Sequence, residues 1–512
     1  MKHAKSSRIF SLLALVLVVT MLVTLVGCGG SDNKTDDTKK TTTTTTTTTT
    51  VADNTDDATT TTGGDSTDDT TTGADSTDTT IDLGGLLGTT TQPTTTKKPT
   101  TTTSKTLPPA DQNILNKVPS ELKGTKIKML IWWNTATDDK NEAATFKAAT
   151  GIDVAYETAT MDKYQSNLSG KIMAGNPPAL AAIINEWYPQ PITRGLMQPI
   201  KNTGWDYTDS IYATAMMEQF SYKGEYYGIA LKGSNMTTFE VMFFNKKVLA
   251  ANGVSEDPYQ LWRKGQWNWD TCLDIATKCT NAKKDKYGLT LIYQNYWMLS
   301  AGQDFVLADK DGLKNNIKSP QLLNAWYHAW DMINTHKVIP TYFSQQQQLF
   351  YNGSVAMMGG GSYFMQAEAS HNNYVPQNAK FNWGVVPYPS PKGKSAVAAC
   401  EGTVWGFPTK VKGNQLQAAM WFLRYYLDDA TYSARDFYPS EECWEVMGWL
   451  WNQKIQSFNS VGVVTYGGKH SAATIQYSLI DEATTKSQVA SNLESWYAEL
   501  QANIDQIKTE MD

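Results

Sequence analysis

Residues 126–187 read KIKMLIWWNTATDDKNEAATFKAATGIDVAYETATMDKYQSNLSGKIMAGNPPALAAIINEW. Lys126–Trp133 is a short apolar run suited to a buried strand, and it opens into the polar turn Asn134–Asp139. Ala143, Phe146 and Ala149 fall at helical spacing, with Gly151 as the stop. Ile152–Tyr156 reads as a second strand. Tyr164, Leu168 and Ile172 step by four, marking another helix closed by Gly175-Asn176-Pro177-Pro178. Ala179–Ile184 is the third strand, ending at Asn185-Glu186-Trp187. Strand–helix–strand–helix–strand at this spacing predicts a parallel α/β lobe. Later helices are predicted on Leu322, Trp326, Trp330 and Ile333, on Leu416, Met420, Leu423 and Leu427, and on Val489, Leu493, Trp496, Leu500 and Ile507. The expected class is α/β.

Outside that stretch the chain is uneven. It has 512 residues, and a single core stops growing near about 250–300 residues, so two or more lobes are expected. The net charge of −6 leaves no basic footprint and argues against a nucleic-acid binder. A hydrophobic content of 41% is low for a polytopic membrane protein. All 17 Trp and 25 Tyr fall after residue 130, while a polar tract fills the chain before 107.

Lys2, Lys5 and Arg8 precede an apolar run from Ile9 to Val26, which ends in Leu25-Val26-Gly27-Cys28. This resembles a bacterial lipobox: residues 1–27 are expected to leave as a signal peptide, and Cys28 to carry a diacylglyceryl chain. An uncleaved anchor helix is the alternative, and both readings put the rest of the chain outside the cytoplasm. From Ser31 to about Thr106 the chain is Thr, Asp, Gly, Ser and Lys, with an unbroken Thr run at 41–50. Such a composition buries too little apolar surface to offset the entropy of ordering. Residues 28–118 are therefore expected to form a disordered linker reaching roughly 50 Å, a spacer between membrane and domain.

A family resemblance runs through the folded part. Phe146-Lys147-Ala148-Ala149-Thr150-Gly151-Ile152-Asp153-Val154 resembles the opening of the extracellular solute-binding proteins of ABC importers. Lys171–Pro178 is similar to their "ASG-x-x-PD" turn, with Ala179 in place of the usual Asp. Gly195–Ile200 resembles their "G-L-L-x-P-L", Tyr226–Ala230 their "YYGLP", and Met242–Lys246 their "LYYNK". Phe350–Met358 is similar to "F-x-NGK-x-AMM" and Trp383–Pro389 to "GV-x-PLP". These segments stand in family order over about 120–430, and the resemblance is to the sugar-binding group that includes maltose-binding protein. It implies a two-lobed periplasmic-binding-protein-like fold with a hinge and an interlobe cleft. By that analogy lobe one holds 121–233 and 392–455, and lobe two holds 234–391 and 456–512. It also implies a carbohydrate ligand, ABC permease subunits as partners, and residence as a monomer on the outer face of the cytoplasmic membrane.

Catalytic motifs are absent from the sequence. There is no G-x-S-x-G, H-E-x-x-H or complete Walker A, and the five His stand at no metal-ligand spacing, so no enzyme, metal or cofactor is expected. Glu441, Glu442 and Glu445 read as the solvated face of a helix rather than a glycosidase pair. Cys272 and Cys279 lie about 10 Å apart on a helix over Trp269–Lys278, beyond disulfide reach, and are expected as half-buried thiols. Whether Cys400 pairs with Cys443 is open at this stage.

The aromatics point to the ligand. Trp132 and Trp133 precede the first turn, Trp187 and Tyr188 follow the third strand, and Tyr296 and Trp297 sit in an expected polar loop. Tyr363 follows an expected Gly359-Gly360-Gly361 turn, and Trp405 follows Glu401-Gly402. An aromatic face covers the C–H face of a sugar, while carboxylates and amides bond its hydroxyls. The expected ligand set is Trp133, Asn134, Asp138, Asn185, Glu186, Trp187, Asn295, Trp297, Tyr363, Glu401 and Trp405. Each aromatic alone also fits a core role; as a set on strand ends they favour binding. A peptide, polyamine or iron on the same scaffold is the alternative ligand class, and a tethered carbohydrate-active enzyme the alternative function.

Overall fold

The computed structural model describes the chain from Asn113 to Met511, apart from 133–136, 235–236, 292–293, 341–345, 430–437 and most of 366–380 and 467–484. Cys28, the leader and almost all of the expected linker lie outside the described residues. The elements used below run β1 (Lys126–Ile131), α1 (Thr137–Thr150), β2 (Asp153–Thr158), α2 (Tyr164–Met173), β3 (Leu180–Ile184) and α3 (Thr214–Gln219). Then come β4 (Thr238–Asn245), α4 (Trp269–Cys279), β5 (Tyr287–Leu291), α5 (Tyr296–Ser300), α6 (Pro320–Asn334), β6 (Val355–Gly361) and β7 (Trp383–Pro387). The last are β8 (Val397–Glu401), β9 (Thr403–Gly406), α7 (Gly413–Asp429), α8 (Glu441–Leu450), β10 (Lys454–Ser457), α9 (Ser460–Val464) and α10 (Lys486–Met511).

Two sheets organise these elements. The first has the order β9–β3–β1–β2, with β1 parallel to both neighbours and β9 antiparallel to β3. Met129, Leu130 and Ile131 are fully buried, as the continuous apolar run requires when helices cover both faces. Phe146 of α1 meets Phe422 of α7 edge-on at 5.2 Å, so α1 and α7 share one apolar layer. The second sheet runs β10–β8–β4–β6–β5. One edge of β4 pairs with β6; the other pairs with β8 at Thr238 and Phe239 and then with β7 from Val241 to Asn245.

Several expectations are corrected here. β8 and β10 pair in the second sheet, and α8 packs on β7, so 397–401 and 441–457 sit with that sheet rather than with 121–233. The reason lies at Gly402, where one extended segment leaves the second sheet at Glu401 and enters the first at Thr403. Gly359, Gly360 and Gly361 form the end of β6, not a turn. Tyr296 and Trp297 begin the buried helix α5, not a polar loop. Glu442 of α8 pairs with Lys246 at 2.6 Å, and Glu445 takes both Tyr259 and Arg263, so that helix face is engaged rather than merely solvated. Cys272, Cys279, Cys400 and Cys443 are all free and buried, burial pushing their thiols up.

The helix layer over the second sheet depends on one close approach. Gly288 of β5 lies so near α4 that a Cβ there would stand 1.9 Å from the Ala276 carbonyl oxygen. Thr280, the C-cap of α4, accepts the Gly288 N–H on its hydroxyl at 2.9 Å. Gly288→Ala should therefore cost at least about 2 kcal/mol, since backbone must move to admit the methyl. Urea unfolding checks this, and a variant as stable as the parent would mean that α4 does not seat on β5 as described.

Candidate functional site

The carboxyl ends of β1 and β3 carry an aromatic layer built around Tyr164. Its hydroxyl donates to the Leu130 carbonyl at 2.9 Å and accepts the Ala182 N–H at 2.8 Å, bridging the two strands. Trp187 stacks on this ring with centroids 4.1 Å apart. Trp132 stands edge-on to both, and lies stacked over Trp405 of β9 at 6.1 Å. The turn that presents Trp187 forms because β3 ends at Ile184, whose carbonyl accepts the N–H groups of Trp187 and Tyr188. Trp405 is fully buried and meets Tyr426 of α7 edge-on.

The turn at 185–188 is covered by α9. A Cβ on Gly462 would stand 1.8 Å from the Tyr188 carbonyl oxygen, so only glycine lets this short helix reach the backbone of the first lobe. Asp304 anchors the start of α9, accepting the Ser460 N–H at 2.9 Å and the Ser460 hydroxyl. Burial pushes the Asp304 carboxyl up to about 7, and its bonds from Ser460 and Phe305 offset part of that rise. Gln219 of α3 accepts the Ser457 N–H at 2.9 Å, and its carbonyl takes the Asn459 side chain.

Three carboxyl groups influence one another beside this layer, one from the first sheet's side and two from the second sheet. Glu186 comes from the turn after β3, Glu401 from the end of β8, and Glu240 from the interior of β4. Glu401 is pushed up to about 8, first by burial and then by the charge of Glu186. Glu240 is raised well above the usual carboxyl range by burial and by Glu401, with a hydrogen bond from Tyr296 working in the opposite direction. Glu186 is raised by burial. Tyr363 lies against the same place: a Cβ on Gly361 would meet its ring at 2.4 Å and Thr238, the register partner of Glu401, at 2.7 Å.

The structure thus gathers Asn185, Glu186, Trp187, Glu401 and Trp405 around one strand crossing, with Tyr363 beside it. Asn295 is buried at the start of α5, directly before the Tyr296 that bonds Glu240. Trp297 is not in this group. It is fully buried among Trp269, His328 and Tyr388, and its ring is taken up by protein. Trp133, Asn134 and the side chain of Asp138 lie outside the described residues. The expected set lacked Tyr164, Glu240 and Tyr388. Glu240 had a readable signal: it is a lone carboxylate within the apolar run Phe239–Phe244. Among the described residues no cluster of His, Cys, Asp and Glu is placed to hold a metal ion, and no helix is long and apolar enough to cross a membrane.

A family model for bacterial extracellular solute-binding proteins matches residues 142–436, more than half of the chain, and the chain belongs to that family. Solved structures agree in fold. The sugar-binding protein MalE of Xanthomonas citri is 15% identical with a TM-score of 0.57, over 75% of this chain and 99% of that one. An extracellular solute-binding protein from Staphylococcus aureus, solved with maltose, is 14% identical with a TM-score of 0.54, over 75% and 98%. A cyclo/maltodextrin-binding protein complexed with maltotetraose is 18% identical with a TM-score of 0.53, over 76% and 98%. No curated protein sequence matches the chain. The two-lobed α/β architecture expected from the sequence is the architecture of this protein.

The raised carboxyl at the crossing has a consequence for stability. An unfolded chain releases the Glu401 proton near its usual 4.5, whereas the folded state keeps it to about 8. The folded state therefore binds the extra proton between those values, and stability should fall as pH rises from about 4.5 to about 8. Glu401→Gln should flatten that slope in thermal unfolding scans. A parent whose melting temperature rises across this interval, or a variant with an unchanged slope, would contradict the assignment.

Proposed function

We propose that this protein captures a carbohydrate, an oligosaccharide, between its two lobes and presents it to an ABC-type importer. In this reading it is a monomer held on the outer face of the membrane by a lipid on Cys28, with residues 28–118 as the tether. Family membership supplies the solute-binding role. The observation that carries the sugar is the juxtaposition at the strand crossing: the aromatic layer of Trp132, Tyr164, Trp187 and Trp405 beside the half-buried Glu186 and Glu401. Aromatic faces suit the apolar face of a pyranose, and carboxyl groups bond its hydroxyls. That three of the solved relatives are described as sugar- or maltodextrin-binding, or hold maltose, supports the same ligand class.

Within this reading the ligand set is Asn185, Glu186, Trp187, Asn295, Tyr363 and Glu401, with Trp133, Asn134 and Asp138 as further members. Trp405 supports the layer from beneath, and Trp297 belongs to the core. Binding stabilises the arrangement in which the lobes are closed, a shift of populations without covalent chemistry.

A panel of neutral and substituted oligosaccharides tested by thermal shift and calorimetry checks the proposal. A ligand at 100 times its dissociation constant should add about 2.7 kcal/mol of stability. Prolonged incubation should return the oligosaccharide uncleaved, and Cys28→Ser should move the protein out of the membrane fraction. Stabilisation by peptides alone would overturn the ligand class, and cleavage products would overturn the binding role.

A further inference from the structure

The turn that carries Asn185, Glu186 and Trp187 is held by both lobes. On its own side, the Ile184 carbonyl accepts the N–H groups of Trp187 and Tyr188, and the Tyr188 hydroxyl donates to the Ser221 carbonyl at 2.6 Å. That last bond ties the turn to the segment just after α3. There Gln219 accepts the Ser457 N–H of β10 at 2.9 Å on its side chain, and the Asn459 amide on its carbonyl. From the second lobe comes α9: a Cβ on Gly462 would stand 1.8 Å from the Tyr188 carbonyl oxygen and 3.1 Å from that of Glu186. Gln219 and Tyr188 thus form one patch of the first lobe, and residues 457–462 lie on it.

Helix α9 is itself held in place. Asp304 accepts the Ser460 N–H at 2.9 Å, and the Asn503 amide of α10 donates to the Val463 carbonyl at 3.1 Å. A side chain at 462 would therefore meet backbone on one side and an anchored helix on the other, with no flexible group to give way. Gly462 is not among the glycines at positive φ, so the need for glycine here is one of space alone. Within a helix, glycine is also the less stable choice than alanine. The residue at 462 thus disfavours α9 on its own and favours only the contact that α9 makes.

We propose that Gly462 is a positioning residue for ligand binding: it lets the second lobe rest on the carbonyls of Glu186 and Tyr188 and so sets the turn that carries part of the ligand set. The inference rests on the solute-binding reading above and deepens it, giving a role to a residue outside that set. In this arrangement the turn takes its binding form only when the second lobe is in place. Solute binding and the α9 contact then favour the same population, and each strengthens the other.

Amide hydrogen exchange on the full chain without ligand tests the contact, comparing the parent with Gly462→Ala, Gln219→Ala and Gly170→Ala. Gly170 of α2 has no atom within 4 Å of where a Cβ would stand, so its variant controls for the substitution itself. Gln219→Ala removes the bond to Ser457 without adding bulk, and decides the matter if Gly462→Ala fails to fold. Gly462→Ala and Gln219→Ala should each speed exchange about 10-fold at 186–190 and 457–463, with β1 and β4 unchanged. Unchanged exchange at both segments would overturn the inference, because α9 would then not rest on the turn. Faster exchange spread equally through β1 and β4 would overturn it too, because Gly462 would then belong to a shared core. Calorimetry with maltotriose keeps this apart from the carbohydrate reading. Gly462→Ala should bind maltotriose about 10-fold more weakly than the parent, and Gly170→Ala as tightly as the parent. Equal binding by Gly462→Ala would overturn the positioning role. No heat from the parent would count against the carbohydrate reading, and the exchange comparison would still decide the contact.

Discussion

One extended segment, Val397–Gly406, belongs to both sheets. Its first half pairs with β4 and β10, its second half with β3, and Gly402 is the only residue between. A strand held at both ends by backbone ladders fixes how the two lobes can meet, because its side chains are packed on both faces and a slip in either half would disturb both. Cys400 and Trp405, both fully buried, flank the crossing. Glu401 stands between them, at the one place where the ladder of one sheet ends and the other has not begun.

That placement explains the chemistry around it. The carboxyl group at this junction is half-buried, and two more acids, Glu186 and Glu240, lie near enough to shift it or be shifted by it. Burying like charges is unfavourable, so Glu401 is pushed up to about 8, and Glu186 and Glu240 are raised as well. Around them Tyr164, Trp187, Trp132 and Trp405 form a rigid edge, tied to the sheet by two hydrogen bonds through the Tyr164 hydroxyl. These aromatics and acids are the features on which the proposed ligand site rests.

Much of this was legible in the sequence. The parallel first lobe followed from the alternation of apolar runs and helical spacing between Lys126 and Ile184, where local pattern and burial agree. The turn at Asn185–Trp187 and the Glu401–Trp405 stretch were also marked, because polar and aromatic residues follow apolar strands there. Three things were not legible. The assignment of Val397–Glu401 to the second sheet depends on pairing with residues more than 150 positions away in sequence, which periodicity does not encode. Tyr164 reads as a helix-face apolar residue, and only the fold shows its hydroxyl bridging two strands. Trp297 reads as a loop aromatic because Gln294 and Asn295 are polar, yet the helix that follows them is buried.

The central claim is that ligand and lobes meet at the Glu401 crossing. Amide hydrogen exchange of the full chain, with and without a saturating mixture of oligosaccharides, tests it most directly. The account expects added protection at 185–188, 238–241, 294–297 and 401–405, with the outer strands β2 and β5 unchanged. Protection confined to other segments, or none at concentrations that raise the melting temperature, would contradict it.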